Sequence, residues 1–93
     1  STEMANTAIH AFVSGRVQGV WFRVFTREQA QKNAVNGWVR NLTDGRVEVH
    51  LEGPSTAVEK VLNGLQKGPR LASVKEIIQQ PASCQHYQDF RIL

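Results

Sequence analysis

The chain reads Gly15-Arg16-Val17-Gln18-Gly19-Val20-Trp21-Phe22-Arg23 where a strand-like run, residues 9–13, gives way to a helix-like run, residues 22–34. Glycine at two points of this turn lets the backbone adopt positive φ, so that successive N–H groups can converge on one point. The first N–H groups of the following helix have no intrahelical partners, and the macrodipole makes that end electropositive. Arg23 adds a guanidinium that can hold an anion through two N–H groups. The stretch therefore predicts a site for a phosphate-sized anion.

A purely structural interpretation of the same stretch stays open. Gly15 and Gly19 could form a tight strand-to-helix turn, and Arg23 could be a solvated surface charge. The pattern differs from the common nucleotide-binding loops, because no Lys-Ser or Lys-Thr follows Gly19 and the spacing is not Gly-x-Gly-x-x-Gly. By itself, the loop is compatible with an anion site and with a plain turn.

The composition is that of one small globular domain. The chain has 93 residues, of which 41% are hydrophobic, and a formal net charge of +3 without a dense Lys/Arg run. We expect a flexible N-terminal arm at residues 1–6 and a single domain at residues 7–93. Cys84 is the only cysteine, which rules out an intramolecular disulfide and favours a reducing compartment. With no signal-like or membrane-length apolar run, we expect a cytoplasmic protein without a membrane partner.

Hydrophobic periodicity predicts an α+β fold. The elements alternate as β-α-β-β-α-β with a short terminal strand, which is the ferredoxin-like split βαβ arrangement, an antiparallel sheet with two helices on one face. The expected elements are strands at residues 8–14, 37–41, 46–52, 73–79 and 90–92, and helices at residues 22–33 and 55–67. Thr56 and Glu59 have the spacing of a capping box, and residues 81–83 read as a loop. In the third strand, strict alternation predicts a buried face and a solvated face that carries Glu48, His50 and Glu52.

This topology brings Asn41 to the loop. The first two strands run parallel, so the end of the second strand lies at the same sheet edge as the loop and the start of the first helix. A carboxamide there can hold a water molecule in a chosen orientation. The histidines have no metal-ligand spacing, and no nucleophile or titrating base follows from the pattern. Without a general acid, such a site can cleave only a phosphate whose leaving group departs easily, such as a carboxylate with a conjugate-acid pKa of about 4.

Two motifs in these positions resemble the acylphosphatase family. Residues 15–23 resemble its first signature, and Gly37-Trp38-Val39-Arg40-Asn41-Leu42-Thr43-Asp44-Gly45-Arg46-Val47, continuing to Gly53, is similar to the second. Residues 68–72 also resemble the family. The resemblance implies a small soluble enzyme that hydrolyses acyl phosphates to a carboxylate and inorganic phosphate. It implies no cofactor and no metal.

The same resemblance implies roles for individual residues. Arg23 would bind the substrate phosphate, and Asn41 would orient the attacking water. The phosphate-binding loop would comprise Gly15, Arg16, Val17, Gln18, Gly19 and Val20. We further expect a monomer whose partners are small molecules.

Two other functions are compatible with the same scaffold. An RNA-recognition domain needs exposed aromatic side chains on its central strands, and here Phe12 is the one candidate beside an acidic third strand. A non-catalytic phosphate-binding or interaction domain is also compatible with the fold, because a fold does not fix a function. The paired signatures favour the enzyme over both.

Overall fold

The computed structural model of the protein describes residues 6–93, and the elements follow the predicted order. They are β1 (Asn6–Arg16), α1 (Phe22–Lys32), β2 (Asn36–Asn41), β3 (Val47–Pro54), α2 (Ser55–Lys67), β4 (Ser73–Ala82) and β5 (Phe90–Ile92). Residues 1–5 of the expected N-terminal arm lie outside the described part, while Asn6 is the first residue of β1.

The sheet has the ferredoxin-like order with one addition. Its strands lie in the order β4-β1-β3-β2-β5, and the β1–β3, β1–β4 and β2–β3 pairs are antiparallel. The predicted antiparallel sheet is present in β1 to β4, whereas the short terminal strand β5 pairs parallel with β2, which makes the whole sheet mixed. The chain returns from the β4 edge across the sheet before β5 begins, so β5 enters in the direction of β2. The added strand extends the edge of the sheet beside Asn41.

Both helices bury the faces that their periodicity predicts. In α1 the buried side chains are Phe22, Thr26 and Ala30; in α2 they are Val58, Val61, Leu62 and Leu65. They pack on the sheet face that carries Ala11, Val13, Val39, Val47, Val49 and Leu51. At about 25 cal/mol per Å² of apolar surface removed from water, this layer is the main favourable contribution to folding.

Two local expectations are wrong. The capping box at Thr56 does not form, because Pro54 is the N-cap of α2 and no side chain in the described part of the chain caps the helix start. Residues 81–82 are not loop, since β4 continues to Ala82 and Pro81 pairs with Ile9. Proline is tolerated there because β4 is an edge strand, where one row of backbone groups faces away from the sheet.

The face of the sheet opposite the helices is not solvated, contrary to the alternation pattern of β3. Glu48, His50 and Glu52 are only 7%, 5% and 5% exposed. Neighbouring strands supply their partners: Nε2 of His10 lies 2.5 Å from one oxygen of Glu48, and Arg40 Nε donates to the other at 2.5 Å. These contacts explain why charged groups are accepted at low exposure.

Residues 83–89 cover the rest of this polar face. The backbone N–H groups of Gln85 and Tyr87 both donate to Glu52, and His50 Nε2 lies 2.8 Å from the same carboxylate. The ring of His50 stacks on Trp38, with centroids 6.0 Å apart, and meets Tyr87 edge-on at 5.4 Å. The crossing segment that leads to β5 therefore buries the side chains that alternation alone assigns to solvent.

Burial and hydrogen bonding act in opposite directions on these two carboxylates. Burial by itself would raise the pKa of Glu48, but hydrogen bonds from Arg40 and His10 outweigh it and lower that pKa. Burial would likewise raise the pKa of Glu52. The N–H of Gln85, the ring of His50 and the N–H of Tyr87 together lower it instead. Both groups therefore favour the ionised form in the folded protein.

Candidate active site

The two glycines of the β1–α1 loop have different roles. Gly15 has φ 120° and lies at an irregularity in the β1–β4 pairing, where a Cβ would clash with the carbonyl oxygen of Ser73 and the amide of Lys75. Gly19 has φ 75°, and a Cβ there would meet no described atom within 4 Å. The close approach of β4 therefore requires Gly15, whereas Gly19 lies at the open part of the loop.

Side chains of the loop fix its backbone from both sides. Val17 and Val20 are 1% and 4% exposed and belong to the hydrophobic core. Gln18 Nε2 donates to the carbonyl oxygens of Leu42 at 2.7 Å and Arg46 at 2.9 Å. Gln18 thus ties the loop to the β2–β3 turn directly after Asn41.

The start of α1 is electropositive. Its N-cap residue, Trp21, has φ 65° and ψ 20°, and its carbonyl accepts the N–H of Phe25 at 2.9 Å. Among residues 6–93 no side chain caps this end, and the first turn of the helix contains no acidic residue. Within residues 6–93, Arg23 forms no ion pair. The helix N-terminus and the guanidinium therefore both present positive potential without an opposing described carboxylate.

Arg23 and Asn41 line one cavity of about 300 Å³, a size at the lower end of small-molecule sites. The predicted meeting of the loop, the first turn of α1 and the end of β2 is therefore present. The complete lining is Val17, Gly19, Trp21, Phe22, Arg23, Val24, Asn41 and Ile92.

Four of the predicted loop residues do not line this cavity. Gly15, Arg16, Gln18 and Val20 are absent from its lining, and of these Val20 faces a neighbouring cavity instead. Gly15 and Gln18 act on the site through the loop conformation. Arg16 is the last residue of β1 and pairs with Ser73 of β4.

Four residues of the lining were outside the sequence-based prediction of the site: Trp21, Phe22, Val24 and Ile92. Ile92 reaches the cavity from β5, and the parallel pairing of β5 with β2 brings it beside Asn41. Ile92 belongs to a short terminal strand, and the sequence could have assigned it to the cavity only if the pairing of β5 with β2 had been known. Trp21 also lines the cavity, and nothing in the sequence reports its positive φ.

The described residues do not form a metal cluster. Across residues 6–93, no three His, Cys, Asp or Glu side chains lie together in an arrangement that could hold a metal ion. In the same part of the chain, no helix is both long enough and apolar enough to span a bilayer. Cys84 is a free, half-buried thiol.

A family model described as acylphosphatase matches residues 9–92, which includes every element that forms the cavity. The chain belongs to the acylphosphatase family. It is 54% identical over 74 residues to the acylphosphatase of Haloarcula marismortui, covering 80% of this chain and 81% of that one. It is 44% identical over 86 residues to the acylphosphatase of Nitrosococcus oceani, covering 92% and 97% of the two chains.

Solved acylphosphatase structures have the same fold. That of the Coxiella burnetii acylphosphatase superposes with a TM-score of 0.91 at 36% identity, covering 95% of this chain and 93% of that one. The ferredoxin-like prediction and the family resemblance are both confirmed. The family therefore supplies the reaction class against which the cavity can be interpreted.

Proposed function

We propose that the protein hydrolyses the carboxyl–phosphate bond of an acyl phosphate, releasing a carboxylate and inorganic phosphate. The observation that carries this proposal is the common cavity of Arg23 and Asn41, in a chain of the acylphosphatase family. The cavity unites an anion-binding end with a neutral side chain able to hold water. The first can bind a phosphoryl group and the second can present the nucleophile.

Arg23 and the loop amides would bind the phosphoryl oxygens. A guanidinium offers two parallel N–H donors to a phosphate, and the uncapped start of α1 adds backbone donors and the helix dipole. These groups are in place before the substrate arrives, because Val17, Val20 and Gln18 fix the loop. Preorganised donors of this kind stabilise the charge that spreads over the phosphoryl oxygens in the transition state.

Asn41 would orient the attacking water. Its carboxamide oxygen can accept a hydrogen bond from the water and its NH₂ group can donate one, so a lone pair of the water can be directed at phosphorus. The water oxygen then forms a bond to phosphorus as the bond from phosphorus to the carboxyl oxygen breaks. The electron pair leaves on the carboxylate, and the surplus water proton passes to the phosphate or to solvent. A carboxylate needs no protonation to leave, since its conjugate acid has a pKa of about 4.

The proposed partner is a small molecule rather than a nucleic acid. RNA-recognition domains of this fold stack bases on exposed aromatics of the sheet, and here residues 83–89 lie over that face and Trp38 stacks on His50. We include in the proposal that the enzyme is a cytoplasmic monomer without a cofactor. The lone Cys84, which forms no disulfide within the chain, supports the reducing compartment.

Hydrolysis of benzoyl phosphate by the native protein, followed in the presence and absence of a chelator, tests the reaction. We expect saturable turnover that survives the chelator and is inhibited competitively by inorganic phosphate. Calorimetric titration with inorganic phosphate tests the binding-only alternative. A folded protein that binds phosphate and gives no hydrolysis above the buffer rate would contradict the enzymatic proposal.

A further inference from the structure

Trp21 combines two features that are unfavourable for stability. Its side chain is 71% exposed, and its backbone has φ 65°, a region that bulky residues rarely occupy. A glycine or an asparagine would adopt this conformation more easily. Backbone strain of this kind concentrates at ligand-binding positions, where it holds a side chain in a required orientation. An exposed indole on a strained residue beside the Arg23 cavity is therefore a candidate for ligand contact.

A second cavity adjoins the first at this indole. It has a volume of about 250 Å³ and is lined by Val20, Trp21, Pro69, Arg70 and Leu71. Trp21 lines both cavities, so the apolar surface continues outward from the Arg23 site. Leu71 is 63% exposed, which is high for a leucine in a monomeric domain. All residues that line this second cavity, except Arg70, are apolar.

The turn that carries Leu71 is held in place. The N–H of Ala72 donates to the carbonyl of Pro69 at 3.0 Å, and Gly68 has φ 69° at the end of α2. A Cβ at Gly68 would lie 3.3 Å from the ring of Phe22, the residue after Trp21. The turn therefore packs directly against the start of α1. Leu71 and Trp21 accordingly line the same cavity.

We propose that Trp21 and Leu71 form an apolar shelf that binds the acyl group of the substrate and makes the enzyme selective for aromatic or bulky apolar acyl phosphates. The inference rests on the proposed function. It assigns a specificity-determining role to two side chains that take no part in binding the phosphate.

The direction of the reaction supports this placement of the acyl group. In phosphoryl transfer the attacking and leaving oxygens lie roughly in line through phosphorus. With the water held by Asn41, the acyl group must extend from the opposite side of the phosphate. Asn41 does not line the second cavity, whereas Trp21 connects the two cavities. An acyl group that leaves the phosphate site away from Asn41 therefore meets the shelf.

The ratio of kcat/KM for benzoyl phosphate to that for acetyl phosphate tests the shelf. Both substrates release a carboxylate, and their difference in intrinsic reactivity is the same for every variant, so a change in the ratio between variants reports the acyl contact. We expect the native enzyme to prefer benzoyl phosphate and Trp21→Gly, which relieves the backbone strain, to lower the ratio about five- to tenfold. Trp21→Phe retains an aromatic ring and keeps the ratio within about twofold, while Leu71→Ser lowers it about two- to threefold.

Ile78→Ser is the matched control, since Ile78 is an exposed apolar residue of β4 that lines neither cavity. An unchanged ratio in Trp21→Gly and Leu71→Ser, with both substrates still hydrolysed, would overturn the shelf and leave the proposed function standing. If Trp21→Gly does not fold, Leu71→Ser decides alone. No hydrolysis of either substrate by the folded native protein would overturn the proposed function and the shelf with it. Concentration-dependent self-association that Trp21→Gly abolishes, with an unchanged ratio, would assign the patch to an interface and also overturn the proposal.

Discussion

Arg23, in the first turn of α1, and Asn41, the last residue of β2, line the same cavity from two different layers of the fold. The β1–α1–β2 crossover explains this meeting. Strands β1 and β2 both pair antiparallel with β3 and therefore run in the same direction, so the start of α1 and the end of β2 share a sheet edge. One residue can hold an anion and the other can hold water, which is the basis of the assigned roles.

Replacing Arg23 with alanine is expected to weaken phosphate binding without unfolding the protein. The side chain is half-buried and forms no ion pair within residues 6–93, so we expect a loss of less than about 1 kcal/mol in the free energy of unfolding. Loss of charge-assisted hydrogen bonds should lower the affinity for inorganic phosphate by about 10- to 100-fold. Calorimetric titration and urea denaturation measure the two effects. The control is Arg27→Ala, since Arg27 is on the same helix and does not line the cavity. An Arg23→Ala protein that fails to fold would show that Arg23 has a structural role instead.

The link between Gln18 and the β2–β3 turn is expected to support both stability and turnover. Gln18→Ala removes hydrogen bonds to the carbonyls of Leu42 and Arg46, at a cost of about 1–2 kcal/mol. Because the loop is then less firmly held beside Asn41, kcat for benzoyl phosphate should also fall. Urea denaturation and initial-rate kinetics check this, with Gln31→Ala on the exposed side of α1 as control. Native stability and native kcat in Gln18→Ala would show that the link is incidental.

Alanine should destabilise the protein far more at Gly15 than at Gly19. Gly15→Ala places a Cβ against the Ser73 carbonyl at φ 120°, and we expect a loss of about 3 kcal/mol or more. Gly19→Ala meets open space and suffers mainly the left-handed backbone penalty of about 1–2 kcal/mol, but its methyl group lies at the cavity. Thermal unfolding together with KM for benzoyl phosphate separates the effects. Equal losses of stability in the two variants would contradict the different roles.

Acid should destabilise the protein through the buried polar face. The folded-state pKa values of Glu48 and Glu52 lie below their ordinary values, so each carboxylate contributes stability that is fully present above the unfolded pKa of about 4.3. That contribution is lost as the pH falls through the folded pKa, because the unfolded state then binds protons more readily.

Glu52→Gln isolates the larger group of contacts. We expect it to cost about 1–3 kcal/mol at pH 7, since the hydrogen bonds from Gln85, Tyr87 and His50 lose their charged acceptor. The difference from the native protein should shrink below pH 4. Urea denaturation at several pH values measures it, with Glu59→Gln on the exposed face of α2 as control. A difference that stays constant down to pH 3 would refute the linkage.

Much of the fold and of the site follows from local patterns and topology. The strand–loop–helix unit, the apolar stripe of α2 and the convergence of Asn41 with Arg23 all follow from periodicity and from the direction of the strands. The burial of Glu52 does not follow from these patterns, because the segment that covers it is polar and has no periodicity of its own. The shelf role of Trp21 does not follow either, since nothing in the local sequence indicates its positive φ.

The most direct test of the account is Asn41→Ala, with kcat for benzoyl phosphate and the Kd for inorganic phosphate measured on the same preparation. The account predicts a fall in kcat of about 100-fold or more, with a phosphate Kd within about twofold of the native value. Asn63→Ala, an exposed asparagine of α2, should leave both values unchanged. A near-native kcat in Asn41→Ala, or a loss confined to phosphate affinity, would contradict the assignment of Asn41 to the attacking water.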